Sequence, residues 1–164
     1  MRRDPPPSGL LHPLALAAIA LLIVNDHVLK ARYPGWLTGK LSDVAGLVFF
    51  PLLLRALLAP ILRLVPGRRA HAIGRERLLI ACVAITALAF AAIKLAAPAT
   101  AACEQLLGAL RGGRVEIVRD PTDLIALPCV LVALWIARRA ERAAAAPAAR
   151  ARQGQTTATG DVFW

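Results

Sequence analysis

Apolar positions along the chain gather in four blocks, separated by polar, Pro-rich or Arg-rich segments. The first, LALAAIALLIV from Leu14, runs into Asn25, Asp26 and His27. The second begins at Leu41 and passes through Pro51, Arg55 and Pro60 to Leu64. The third is LLIACVAITALAFAAIKLAA, Leu78 to Ala97, and the fourth, LIALPCVLVALWIA, covers Leu124 to Ala137. Crossing a bilayer as an α-helix takes about 20 residues at ~1.5 Å rise each. Blocks one and four are shorter than that and must recruit their polar flanks. The expected fold is an all-α bundle of four transmembrane helices, near 14–30, 41–64, 78–97 and 121–138, inside a domain of residues 13–140. Residues 1–12 read as a leader. Residues 141–164 read as a low-complexity basic tail, disordered beyond a short helical extension because its small and polar residues cannot bury a core.

Composition supports a bilayer as the solvent of these blocks. Of 164 residues 58% are hydrophobic and 18% charged, and the mean hydropathy of +0.60 is too oily for a soluble domain of this length. A cleaved signal peptide would also begin with Arg2, Arg3 and an apolar run, but NDHVLKARYPG follows with no small-x-small cleavage site, so the first block is expected to be retained.

The net charge of +10 invites a nucleic-acid reading, which the placement of the basic residues opposes. They flank the blocks, and no zinc-finger, helix-turn-helix or interleaved aromatic pattern accompanies them. Outside the blocks, alternate segments hold 12 and 6 Lys and Arg. The positive-inside bias then predicts a multi-pass protein of the cell membrane, with both termini and the Arg63 to Arg77 loop in the cytoplasm. Membrane lipids are the expected partners, the basic tail being drawn to anionic ones, and association with its own or other chains is compatible with the sequence. Three cysteines, Cys82, Cys103 and Cys129, imply no disulfide framework. His12, His27 and His71 lack ligand-spaced companions, so neither a metal nor a cofactor is expected. GWLTGKL is not a phosphate loop either: three residues rather than four separate Gly35 from Gly39, and Leu41 follows Lys40.

On this topology all four helices bring polar groups to the outer face. Asn25, Asp26 and His27 end helix one, Lys40, Ser42 and Asp43 begin helix two, Lys94 ends helix three, and Asp120, Thr122 and Asp123 open helix four. Ionisable residues at membrane depth are expensive and usually face a bundle interior or a wet cavity, so their convergence marks a candidate site. The candidate ligand-binding residues are Lys40, Asp43, Lys94, Arg114, Asp120 and Asp123; Asp26, His27 and Asp43 are candidates for proton transfer. Plainer explanations exist. Lys40 and Asp43, three apart, can pair on one helix. In DPTD, Asp120 can be an N-cap with Pro121 at the first helical position and Asp123 set against the dipole. Lys94 and Arg55 can snorkel to opposite interfaces, and Tyr33 and Trp36 fit an aromatic belt. Helix three, rich in alanine, is expected to be the central helix because small faces allow close approach. Beyond Pro98 the chain can continue as a helix raising Glu104 and Gln105 above the surface, then turn at Gly112-Gly113 into a short extended stretch.

Lys40 at the start of one helix, Glu104 and Gln105 at a helix end, and Arg114 followed by Asp120 make a pattern that resembles the small VanZ-like membrane proteins. Gly39, Asp43 and Leu124 stand where that family has Asp, His and Asn. The resemblance implies a role in the cell envelope, linked to glycopeptide-antibiotic tolerance. Two functions compete: recognition of an anionic headgroup or lipid-linked envelope precursor, with Lys40, Lys94 and Arg114 on phosphate, or a noncatalytic bundle, such as a small subunit of a membrane complex. A proton or ion path is weaker, since helices one and four carry no polar residue at mid-depth.

Overall fold

The computed structural model describes residues 9–33, 35–64 and 74–158, with side chains up to residue 146 except that of residue 63. Four helices are long and apolar enough to cross a membrane, and among the described residues there is no strand. The chain is an all-α four-helix bundle. Helix α1 spans Pro13–Arg32 and α2 spans Trp36–Leu64. Helix α3 covers Arg75–Leu95 and α4 covers Ala97–Arg111. The fourth span begins as a 3-10 helix, Pro121–Cys129, and passes into α5, Val130–Ala158.

The short first and fourth blocks become spans in different ways. In α1 the polar triplet is absorbed into the helix, where Asn25–Leu29 wind as a π-helix. This wider turn, rare and often found at functional sites, holds Asn25 fully buried against α2. The fourth span gains length from its winding. A 3-10 helix rises about 2.0 Å per residue against ~1.5 Å for an α-helix, so nine residues of one and nine of the other reach about 31 Å by Arg138. Pro128, which has no N–H, breaks the ladder near the junction, and α winding takes over at Val130.

The core joins Ala15 and Ala18 of α1, Leu47, Val48 and Leu52 of α2, Leu79 and Val83 of α3, and Val130, Ala133, Ile136 and Ala137 of α5. Helix α2 packs on α1, α3 and the whole fourth span, and so occupies the centre. The expectation of a central third span is corrected. Its alanines Ala81, Ala84, Ala89 and Ala92 face outward, while Leu79, Cys82 and Val83 are buried. In lipid both faces of a span are apolar, so a thin face does not identify the packed one.

At Ala96 the backbone is extended, with φ −111° and ψ 117°, and α4 restarts beyond it with Pro98 in its first turn. Gly112, at φ +70°, closes α4 in the left-handed conformation that glycine adopts without strain. Its N–H and that of Gly113 both reach Gly108 O, at 2.9 and 3.2 Å. Residues 114–120 then return without regular structure, held where Glu104 Oε1 accepts from Ile117 N–H at 2.8 Å.

The opposite end is tied by two ion pairs, Arg55 with Glu141 and Arg138 with Glu76. Arg55 therefore does not snorkel alone. Helix α5 continues to Ala158, where the sequence reading has a disordered tail from residue 141 and a span ending near 138. The rest of that tail, 159–164, and the leader up to residue 8 lie outside the described residues, as do Pro34 and residues 65–73, His71 among them.

Candidate functional site

At the end of the bundle where α3 stops and the fourth span starts, four charged side chains meet. Lys40 Nζ lies 2.6 Å from Asp123 Oδ1, and Lys94 Nζ lies 2.6 Å from Asp123 Oδ2, so one carboxylate bridges two lysines. Lys94 Nζ also lies 3.2 Å from Asp43 Oδ2. All four are nearly enclosed, with side-chain exposures of 11% for each lysine, 10% for Asp123 and 16% for Asp43. Charges taken out of water must be paired to persist, and here two lysines are balanced by two aspartates.

Local structure explains this convergence. Asp120 caps the 3-10 helix, its Oδ1 accepting from Thr122 N–H at 2.8 Å, and Asp123 N–H donates to Asp120 O at 3.0 Å. That turn aims Asp123 inward and places Thr122 Oγ1 3.0 Å from Lys40 Nζ. Lys40 and Asp43, one turn apart at the start of α2, face the fourth span and α3 respectively. Lys94 sits in the last turn of α3, where a cation suits the dipole. Aromatic rings flank both ammonium groups, Trp36 at 4.7 Å from Lys40 and Phe90 at 5.6 Å from Lys94.

A second polar group fills the seam between α1 and α2. Asn25 Nδ2 donates to Thr38 O at 2.7 Å and to Ser42 Oγ at 2.6 Å. Ser42 Oγ donates onward to Asp26 Oδ1 at 2.8 Å, and the same oxygen receives Lys30 Nζ at 2.7 Å. The first turns of α2 thus serve both groups, with Ser42 facing α1 and Lys40 and Asp43 facing the other spans.

Of the residues expected at the site, Lys40, Asp43, Lys94 and Asp123 come together. Lys40 pairs with Asp123, not with Asp43 three residues along, and Lys94 is inside the network, not snorkelling. Asp120 serves as the cap, and the hydrogen bonds from Thr122 hold its carboxyl below the usual aspartate range. Asp26 belongs to the α1 seam. His27 is exposed, with Nδ1 3.0 Å from Ile23 O, and has no bond to Asp43 among the described residues. Arg114 is exposed and makes no ion pair among them. Sequence reasoning missed the π-helix that buries Asn25, the contact of Trp36 with Lys40, and the Glu104 anchor; none has a local signal, since each depends on a distant partner or on a helix widening.

Of the buried oxygens in this region, Asn25 Oδ1 has no hydrogen-bond donor, and Asp43 Oδ2 has only the Lys94 ammonium at 3.2 Å, outside hydrogen-bond geometry. Lys40 spends its ammonium protons on Asp123, Thr122 and the Trp36 face, and Lys94 is engaged by Asp123 and Asp43. The region therefore has unfilled accepting capacity and little spare cationic capacity, which suits a hydroxyl or ammonium donor better than a bare phosphate.

Comparison of the chain with protein-family models, with curated proteins and with solved structures yields no match.

Proposed function

We propose that this is a multi-pass protein of the cell membrane, its termini cytoplasmic, whose outward polar cluster holds the polar head of a lipid or lipid-linked envelope precursor. The observation that carries this reading is unfilled accepting capacity at two buried oxygens beside lysines that are already paired: Asn25 Oδ1 in the neighbouring α1 seam, which has no donor, and Asp43 Oδ2, which has only the Lys94 contact at 3.2 Å. An orphaned buried acceptor costs about 1–3 kcal/mol, and hydroxyl or ammonium groups of a headgroup would offset that cost. The charge balance moves the reading away from phosphate bound by Lys40 and Lys94. Kinship with VanZ-like proteins enters through Lys40, Arg114 and Asp120, of which Lys40 lies in the cluster.

A second reading is favoured by the same balance: the network is a staple joining α2, α3 and the fourth span, in a noncatalytic bundle or a small subunit of a membrane complex. Native mass spectrometry after gentle extraction tests the two. Asp43→Asn leaves Lys94 with Asp123, so the folded protein should survive but lose its bound lipid. Retention of the lipid by that variant at wild-type level overturns the headgroup reading. Lys40→Met combined with Asp123→Leu keeps the Lys94–Asp43 pair; if this double variant holds both its fold and its lipid, the cluster is a staple.

A further inference from the structure

The opposite end of the bundle carries a second constellation, independent of the outer cluster. Along one face of α5, Leu131, Leu134, Trp135, Arg138, Arg139 and Arg142 line a half-open cavity of about 300 Å³. The order along the helix is apolar, then aromatic, then basic. Trp135 stands edge-on to His12, with ring centroids 6.0 Å apart. The Arg139 guanidinium lies over the Trp135 ring, 5.2 Å from its centroid.

The arginines at this end are not equivalent. Arg55 and Arg138 are neutralised by Glu141 and Glu76. Arg139 has only the Trp135 ring, and Arg142 has no partner among the described residues. Two uncompensated guanidinium groups, one helical turn apart, thus edge a cavity whose remaining wall is leucine and indole. By the lengths worked out above, Arg138 lies about 31 Å along the fourth span from Pro121, the thickness of a hydrocarbon core. Trp135 then sits at the interfacial belt and Arg139 and Arg142 at headgroup level.

We infer that this cavity is a site for one anionic phospholipid of the inner leaflet, its phosphate between Arg139 and Arg142 and an acyl chain along Trp135, Leu134 and Leu131. Guanidinium pairs match phosphate oxygens geometrically as well as in charge, and the apolar wall takes the chain that a free anion lacks. A zwitterionic lipid brings its own cation to two arginines and is disfavoured.

The test uses the full chain with Trp36→Phe and Trp164→Phe, leaving Trp135 as the reporter, in phosphatidylcholine vesicles with a tenth of the lipid exchanged for brominated phosphatidylglycerol or brominated phosphatidylcholine. Brominated phosphatidylglycerol should quench Trp135 preferentially. Arg142→Gln, which breaks no intramolecular bond, should reduce the preference about five-fold, the effect of one surface basic charge, and Arg139→Gln with Arg142→Gln should abolish it. Equal quenching by the two lipids identifies ordinary boundary lipid and overturns the site, as does a preference that survives the double substitution. Loss of the preference in millimolar inorganic phosphate assigns a simple anion site and overturns the lipid. Asp43→Asn in the outer cluster should leave the preference unchanged, so failure here is separable from failure of the headgroup reading.

Discussion

Removing the carboxylate of Asp123 should be the most damaging single change at the end of the bundle that holds the lysine–aspartate cluster. Asp123 is the common partner of Lys40 and Lys94, each at 2.6 Å. At an effective dielectric constant of about 20, unit charges at that separation attract by on the order of 6 kcal/mol before desolvation. Breaking a buried pair by deleting one partner typically costs about 3–5 kcal/mol, because the survivor is left charged and enclosed. In Asp123→Leu, Lys40 keeps only Thr122 and the Trp36 ring, whereas Lys94 retains Asp43. The expected loss is therefore one full pair, about 3–5 kcal/mol, and not two. Lys40→Met should cost less, since Asp123 keeps Lys94. Combining the two removes both the stranded lysine and its partner, leaving Lys94 with Asp43 as a balanced pair, so the double variant should be nearer to wild type than Asp123→Leu alone. Unfolding of the extracted protein by a denaturing detergent, followed by circular dichroism and supported by protease resistance, measures all three. A loss below about 1 kcal/mol for Asp123→Leu, the range of solvent-exposed pairs, would refute the burial argument. So would a double variant no better than that single.

With Cys82, Cys103 and Cys129 replaced, a cysteine at Gly35 should react with an impermeant maleimide in intact cells and one at Gly74 should not; the reverse pattern inverts the orientation and moves the cluster to the cytoplasmic face. Truncation after Ala146 should leave extracted-protein stability nearly unchanged, while Glu141→Gln, which strips Arg55 of its partner, should lower it by about 1–3 kcal/mol in the same detergent titration. Asp120→Ala should destabilise the start of the fourth span and Asp120→Asn should recover most of the loss, seen as hydrogen exchange at Thr122 and Asp123. Because folding lowers the Asp120 pKa, its contribution is complete above the unfolded value, near ~3.9, and is lost as pH falls through the lower folded value.

The sequence made the class and the polar end of this bundle legible for one physical reason. Against an apolar background each charge at membrane depth is a costly exception, so Lys40, Asp43, Lys94 and Asp123 could be placed at one level from topology alone. Their pairing was not legible. Lys40 and Asp43 have the spacing of an intrahelical pair, yet Asp123 lies closer to Lys40 across space because the 3-10 turn after Asp120 swings it inward. That turn depends on winding, which no residue count reveals. Packing was equally hidden: α3 has the highest hydropathy of the four spans and is the least buried, since hydropathy reports transfer into lipid as readily as burial against protein.

Both unusual windings occur where polar residues enter lipid, and they act in opposite senses. The π-helix at Asn25–Leu29 widens α1, where Asn25 is fully buried against α2 while Asp26 and Lys30 remain half exposed and paired. The 3-10 helix at Pro121–Cys129 tightens and lengthens the fourth span, so that Asp123 reaches two lysines while α5 still delivers Arg138 to the far interface. A regular α-helix over the nine residues Pro121–Cys129 would shorten the fourth span by about 4–5 Å, whereas the π turn adds no length to α1 and acts where Asn25 is buried against α2. The two departures from ideal winding therefore do different jobs, reach in the fourth span and the seating of Asn25 in the first, and both lie at the end of the bundle where charge is paired.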